Sequence, residues 1–230
     1  MDIIHAIWQG IRPVIEGLFY SGIPFNYRWR MVHLGFFSFI DVAVHYTPWL
    51  FSRAYKVHWI PNRHGDKLRC LVFEPPRKPT DPTKLRPLHL SIHGGGFIGG
   101  IAESSAFWAH MVAKQTGSVV IASTYRFAPK HVYPAAHDDT DDIVQYLIDN
   151  GEKLWQADPH LLTVSGLSAG GALGLATAQQ PHTRPGEDTS IKACVAFFPP
   201  VRRLDLLAFF VMDTSSPCSM GLMKKVRSFK

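Results

Sequence analysis

Twice in this chain of 230 residues a short apolar run is followed at once by a cluster of glycines and then by a helical pattern. The first cluster, His93-Gly94-Gly95-Gly96-Phe97, follows Leu88 to Ile92 and precedes a helical stretch over Ser105 to Gln115. The second, Gly166-Leu167-Ser168-Ala169-Gly170-Gly171, follows Leu161 to Ser165 and runs into helical spacing over Ser168 to Gln180. Further strand-like runs lie at Lys56 to Ile60, Leu68 to Phe73, Ser118 to Ser123 and Ile191 to Phe198, with a helix predicted over Asp138 to Asn150. Strands alternating with helices predict βαβ units: fold class α/β, a mostly parallel sheet with helices on both faces. No internal repeat is visible.

Composition bounds the rest. At 46% hydrophobic and 18% charged, the chain suits one substantial core. Residues 1–54, rich in Trp, Phe, Ile and His, read as helical and as an N-terminal helical cap region. Residues 55–205 read as the core, with Arg77 to Pro87 a Pro-rich loop. Residues 206–230 form an atypical basic tail that does not continue the alternation, so the sheet is expected to stop at Ile191 to Phe198. The net charge of +6 comes largely from residues 201–230, leaving the body nearly neutral and giving nucleic acid no basic face to bind.

Cys70, Cys194 and Cys218 form no CxxC pair, which argues against both a zinc site and a disulfide framework, and no metal or organic cofactor is expected. The first residues lack a signal peptide's basic start and continuous apolar core, so a cytoplasmic, reducing location is expected. Met31 to Phe51 is strongly apolar but interrupted by His33, Asp41, His45 and Pro48, which favours a buried or cap helix over membrane contact.

Ser168 lies at the centre of a G-x-S-x-G spacing between a strand and a helix, the setting in which a serine is held on a sharp turn for nucleophilic attack. A helix start also favours negative charge developing beside it. Acyl transfer needs more: a base, a group orienting that base, and fixed N–H donors for the oxyanion. The glycines after His93 permit the close backbone approach that such donors require, and the loop matches neither phosphate-binding pattern, G-x-x-x-x-G-K-[ST] or G-x-G-x-x-G. The alternative is a pair of turns that only join strand to helix.

Three blocks in order, His93 to Phe97, Tyr125-Arg126-Phe127-Ala128-Pro129-Lys130-His131 with Tyr133-Pro134-Ala135-Ala136-His137-Asp138-Asp139, and Gly166 to Gly171, resemble the signatures of the hormone-sensitive-lipase-like esterases, an α/β-hydrolase family. The similarity covers about residues 55–205. It implies a serine carboxylesterase acting on a small-molecule ester, with Ser168 as nucleophile, the N–H groups of Gly95, Gly96 and Ala169 as oxyanion hole, and a cap shaping an acyl pocket. It also implies that His93 orients the loop and that Asp138 and Asp139 hold the fold. Leu167 and Lys130 stand where the family usually has acidic residues.

The family's catalytic Asp and His follow the serine on two further βα units of about 30 residues or more each, and the 62 residues after Ser168 contain nothing that aligns with them. The sequence is therefore expected to be C-terminally truncated, with its last strands missing. His182 is the sole downstream histidine, about 20 Å along a helix at 1.5 Å per residue. Asp188, Asp205 and Asp213 are the downstream acids, and His131, His137 and His160 the upstream histidines that would break the family's order. A catalytically inactive relative that binds a small ligand is the alternative function.

Overall fold

The structure is a computed structural model that describes residues 2–49, 54–75, 84–182 and 191–200, together with the backbone of 210–213. Five α-helices and a seven-stranded sheet are present among the described residues. The helices are α1 (Asp2–Phe19), α2 (Phe25–Tyr46), α3 (Ala106–Thr116), α4 (Ala135–Trp155) and α5 (Ala169–Thr177). The strands are β1 (Lys56–Pro61), β2 (Lys67–Phe73), β3 (Arg86–Ile92), β4 (Val119–Ser123), β5 (Ala157–Leu167), β6 (Ala193–Phe197) and β7 (Phe210–Asp213).

Spatial order is β1-β2-β4-β3-β5-β6-β7. The central four, β4, β3, β5 and β6, pair in parallel as the alternation predicts, and antiparallel pairings flank them on both sides. The sheet runs one strand further than the sequence suggested: β7, within the segment expected to lie outside the sheet, pairs antiparallel with β6 through Val195↔Val211. An unpaired row of N–H and C=O groups on β6 is what such an apolar run satisfies. The basic tail proper, 214–230, lies outside the described residues, as do Asp188 and Asp205.

Alternation along the strands sorts side chains onto two unlike faces. Leu88, Leu90 and Ile92 of β3 with Leu162 and Val164 of β5 point to one, where the α4 stripe Ile143, Val144, Leu147 and Ile148 and Leu173 of α5 close a large core. On the other face α3 uses small residues, Ala106, Ala109 and Ala113, to approach Leu71, Phe73, Val120 and Ala122. A bidentate ion pair is buried there: Arg69 Nη1 and Nη2 donate to Glu103 Oε2 and Oε1 at 3.0 and 2.7 Å, fixing β2 to the turn before α3. Tyr55 Oη donates to Glu103 at 3.3 Å, and burial followed by the Glu103 charge pushes its phenol up to about 12. Removing one partner of such a pair strands the other charge away from water. Glu103→Ala is expected to destabilise the fold by about 3–5 kcal/mol, read as a lower denaturant midpoint at unchanged slope.

Candidate active site

Because β3 and β5 are parallel neighbours, with Ile92 paired to Gly166, the turns leaving their C-terminal ends lie side by side. This brings the two glycine clusters together. Ser168 occupies the sharp turn between β5 and α5 with φ 51° and ψ −118°, a positive φ that a residue with a Cβ adopts only when its surroundings enforce it. A Cβ on Gly166 would strike the Gly170 carbonyl, and one on Gly170 would strike the carbonyls of Ile92 and His93. The turn is thus possible only with hydrogen at those two positions. Ser168 N–H donates to the Phe197 carbonyl at 2.8 Å, securing the turn to β6.

The first cluster folds against the serine. A Cβ built on Gly94 would lie 3.5 Å from Ser168 Cβ, so the loop backbone passes beside the hydroxyl-bearing carbon. Gly95 has φ 126° and Gly96 φ 61°, and the Gly95 carbonyl accepts from Ile98 and Gly99 N–H at 3.1 and 3.2 Å, turning the peptide chain back on itself. The Gly95 and Gly96 N–H groups make no hydrogen bond among the described residues. Ala169, fully buried, begins α5, where the first N–H groups have no helical acceptor.

His93 is wholly buried, with Nδ1 against the Gly94 carbonyl and Nε2 3.2 Å from Thr124 Oγ1. A carbonyl only accepts, so Nδ1 carries the proton and Nε2 accepts from the threonine. Burial lowers the pKa and keeps the ring neutral, and it stacks on Tyr125 at 4.8 Å. Asp139, also wholly buried, accepts from Arg126 N–H at 2.8 Å and Asn62 Nδ2 at 2.9 Å, joining α4 to the loops after β4 and β1. Asp138 pairs with Arg63 at 3.2 Å.

Among the described residues no hydrogen bond joins Ser168 Oγ to a histidine. His182 is buried, its Nε2 3.0 Å from Thr177 Oγ1 and 3.8 Å from Asp141; it lies beyond the end of α5 at Thr177 and not along the helix as expected. His137 stacks on Phe97 and His160 is exposed. The side chain of Asp213 is outside the described residues.

Two features escaped the sequence reading. Arg12 of α1, buried beside Glu16, donates to the Ile98 carbonyl at 2.6 Å and lies 4.6 Å over the Phe127 ring, while Ser104 Oγ donates to Asp41 of α2 at 2.6 Å. The hairpin is thereby pinned to the loop after Gly96. Charges at positions 12 and 41 within apolar helices were the available signal. Second, His89 and Ser91 of β3 stand in register with Thr163 and Ser165 of β5 on the α3 side of the sheet. His89 Nδ1 and Nε2 contact Thr163 Oγ1 and Ser165 Oγ at 2.8 Å each, and Trp108 Nε1 donates to Ser165 Oγ at 2.9 Å. Their polar alternation is visible in the sequence, but both strands read there as uniformly buried.

The family matching residues 89–218 is described as the α/β-hydrolase fold. The chain belongs to it. Over 121 residues it is 34% identical to ethyl acetate hydrolase of Pseudomonas putida, covering 53% of this chain and 37% of that protein. Over 139 residues it is 33% identical to arylacetamide deacetylase of Oryctolagus cuniculus, covering 59% and 34%. The solved Pyrobaculum calidifontis esterase superposes with a TM-score of 0.59 at 31% identity, covering 74% of this chain and 52% of that one. The chain spans about a third of the length of those two curated relatives and about half of the solved esterase.

Burial pushes His89 down to about 4 from an ordinary 6.5. Between those values the unfolded chain binds a proton that the folded chain refuses, so stability is full above pH 6.5 and falls as the pH drops toward 4. The loss expected from this one group is about 3 kcal/mol. A thermal-unfolding series from pH 7 to 4.5 checks it, with His89→Gln expected to flatten the acid slope.

Proposed function

We propose that this chain supplies the nucleophile and oxyanion hole of a serine carboxylesterase acting on small apolar carboxylic esters. The observation that carries this is the strained Ser168 turn lying against the Gly94–Gly96 backbone, in a chain whose relatives include proteins named as ester hydrolases. Ser168 Oγ attacks the ester carbonyl carbon. The negative charge then moving onto the carbonyl oxygen is met by the N–H groups of Gly95, Gly96 and Ala169 and by the positive end of α5. The C–O bond breaks, the alcohol leaves with the proton given up by the Ser168 hydroxyl, and the acyl group stays on Ser168 until water hydrolyses it, releasing the acid and restoring the hydroxyl. In this reading residues 1–54 form a cap that buttresses the oxyanion loop through Arg12.

A second reading, an inactive hydrolase fold that binds a small ligand, is favoured by one observation: no described histidine reaches Ser168 Oγ to take its proton. Both readings are separated by one assay on the 230-residue chain with a short-chain p-nitrophenyl ester. Esterase action predicts turnover that Ser168→Ala lowers at least about 10³-fold. Equal, background rates for the two folded proteins reject it, and saturable ester binding without turnover then supports the ligand-binding reading.

A further inference from the structure

The α1–α2 hairpin is amphipathic in the inverted sense. On α1 the buried positions other than Arg12 are small residues or proline, Ala6, Gly10, Pro13 and Gly17, while Ile4, Trp8, Ile15 and Leu18 face outward. A Cβ on Gly17 would lie 3.1 Å from Met31 Cβ and one on Gly35 would lie 2.8 Å from Val14 Cγ2, so the two helices meet through their small residues and turn their large ones away. On α2 the outward stripe is Phe25, Trp29, His33, Phe37, Ile40 and Val44. Most aromatic side chains of the hairpin face outward and are not buried against the body. Phe25 is 86% exposed and Phe19 77%. Contiguous apolar surface of this extent marks an interaction site.

Charge decides what covers it. Between Glu16, which is paired with Arg12, and Asp41 the chain has no acidic residue, whereas the hairpin tip carries the exposed Arg30 and the half-buried Arg28, whose guanidinium also donates to the Ile23 and Leu18 carbonyls at 2.9 and 2.8 Å. The tip is aromatic as well as cationic: Phe19, Tyr20, Phe25, Tyr27 and Trp29 are exposed there. Beside them lies a groove of about 590 Å³ lined by Gly17, Leu18, Ile23, Phe25, Trp29 and Val32. Among the described residues no helix is long and apolar enough to cross a membrane. A second copy docking tip to tip would oppose like charges with no acid between them.

We propose that the outer face of this hairpin docks on a bilayer surface bearing anionic headgroups, with the tip aromatics at the boundary between headgroups and acyl chains and the arginines on the headgroups. Such helices lie in the interface plane, held by apolar burial and by attraction to anionic lipid. Aromatic rings with one wet edge favour that depth. The proposal is independent of ester hydrolysis.

The test is co-sedimentation of the full 230-residue chain with phosphatidylcholine vesicles and with vesicles that also contain phosphatidylserine. Binding to the anionic vesicles is expected to be about 10-fold tighter at low salt and to weaken as salt is added. Phe25→Ser with Trp29→Ser is expected to weaken binding to both vesicles by about 100-fold or more at an unchanged unfolding midpoint. Arg30→Glu, a change at an exposed position, is expected to erase the preference for phosphatidylserine while leaving binding to phosphatidylcholine. Absence of binding to either vesicle overturns the proposal, as does binding that the double substitution leaves intact. Self-association abolished by Phe25→Ser with Trp29→Ser, in a protein that ignores vesicles, overturns it in favour of a second copy.

Discussion

Everything at the candidate site depends on one close approach: the backbone leaving β3 passes against the turn between β5 and α5, with no room for a side chain between them. Gly170 faces the carbonyls of Ile92 and His93, Gly166 faces Gly170, and Gly94 faces Ser168. Strand pairing alone brings the two turns to the same edge of the sheet, since Ile92 and Gly166 are register partners. The glycines then convert proximity into contact, and that contact holds Ser168 in a conformation that costs energy on its own. Larger side chains would move the serine away from the loop amides and leave an ordinary βα connection.

Around this contact the structure places two layers of support. Beneath the loop, His93 is held neutral by burial and uses its single N–H on Gly94, while Tyr125 stacks on its face. Above the loop, the crossing of α1 and α2 presses Pro13 and Ser38 against Gly99, and Arg12 takes the carbonyl of Ile98. A loop of successive glycines is entropically expensive to order. Enclosure from both sides offsets that cost and fixes which way its N–H groups point.

The two faces of the sheet obey different rules near the site. The face toward α4 and α5 is uniformly apolar, as a doubly covered parallel sheet requires. The opposite face carries Ser91 and the polar trio His89, Thr163 and Ser165, in which His89 bridges the two hydroxyls and Trp108 donates to Ser165. The hairpin shows the same departure from ordinary patterning, with large apolar side chains outward and glycines inward. Periodicity in sequence marks which residues share a face of a helix or strand. It does not say whether that face meets the core, a neighbouring helix at close range, or the solvent.

Much of the architecture follows from local pattern: every central strand and helix could be located from apolar runs, and Ser168 with the Gly94–Gly96 loop from their spacing. Element ends were less legible. The α4 helix begins at Ala135, three residues before the predicted start, and α5 ends at Thr177, three before the predicted end. β7 follows β6 directly in the chain and is an apolar run, but its antiparallel pairing there was set by the open edge of the sheet. By itself, then, the sequence determined which residues can be strand, helix or tight turn, because those preferences are set by side-chain size, branching and the missing Cβ of glycine. Tertiary structure alone decided that Arg12 meets the loop after Gly96, that His89 is dry, and that the hairpin shows its aromatic face outward. Those outcomes depend on which surfaces compete for burial once the chain is compact, and that competition is between residues far apart in the chain.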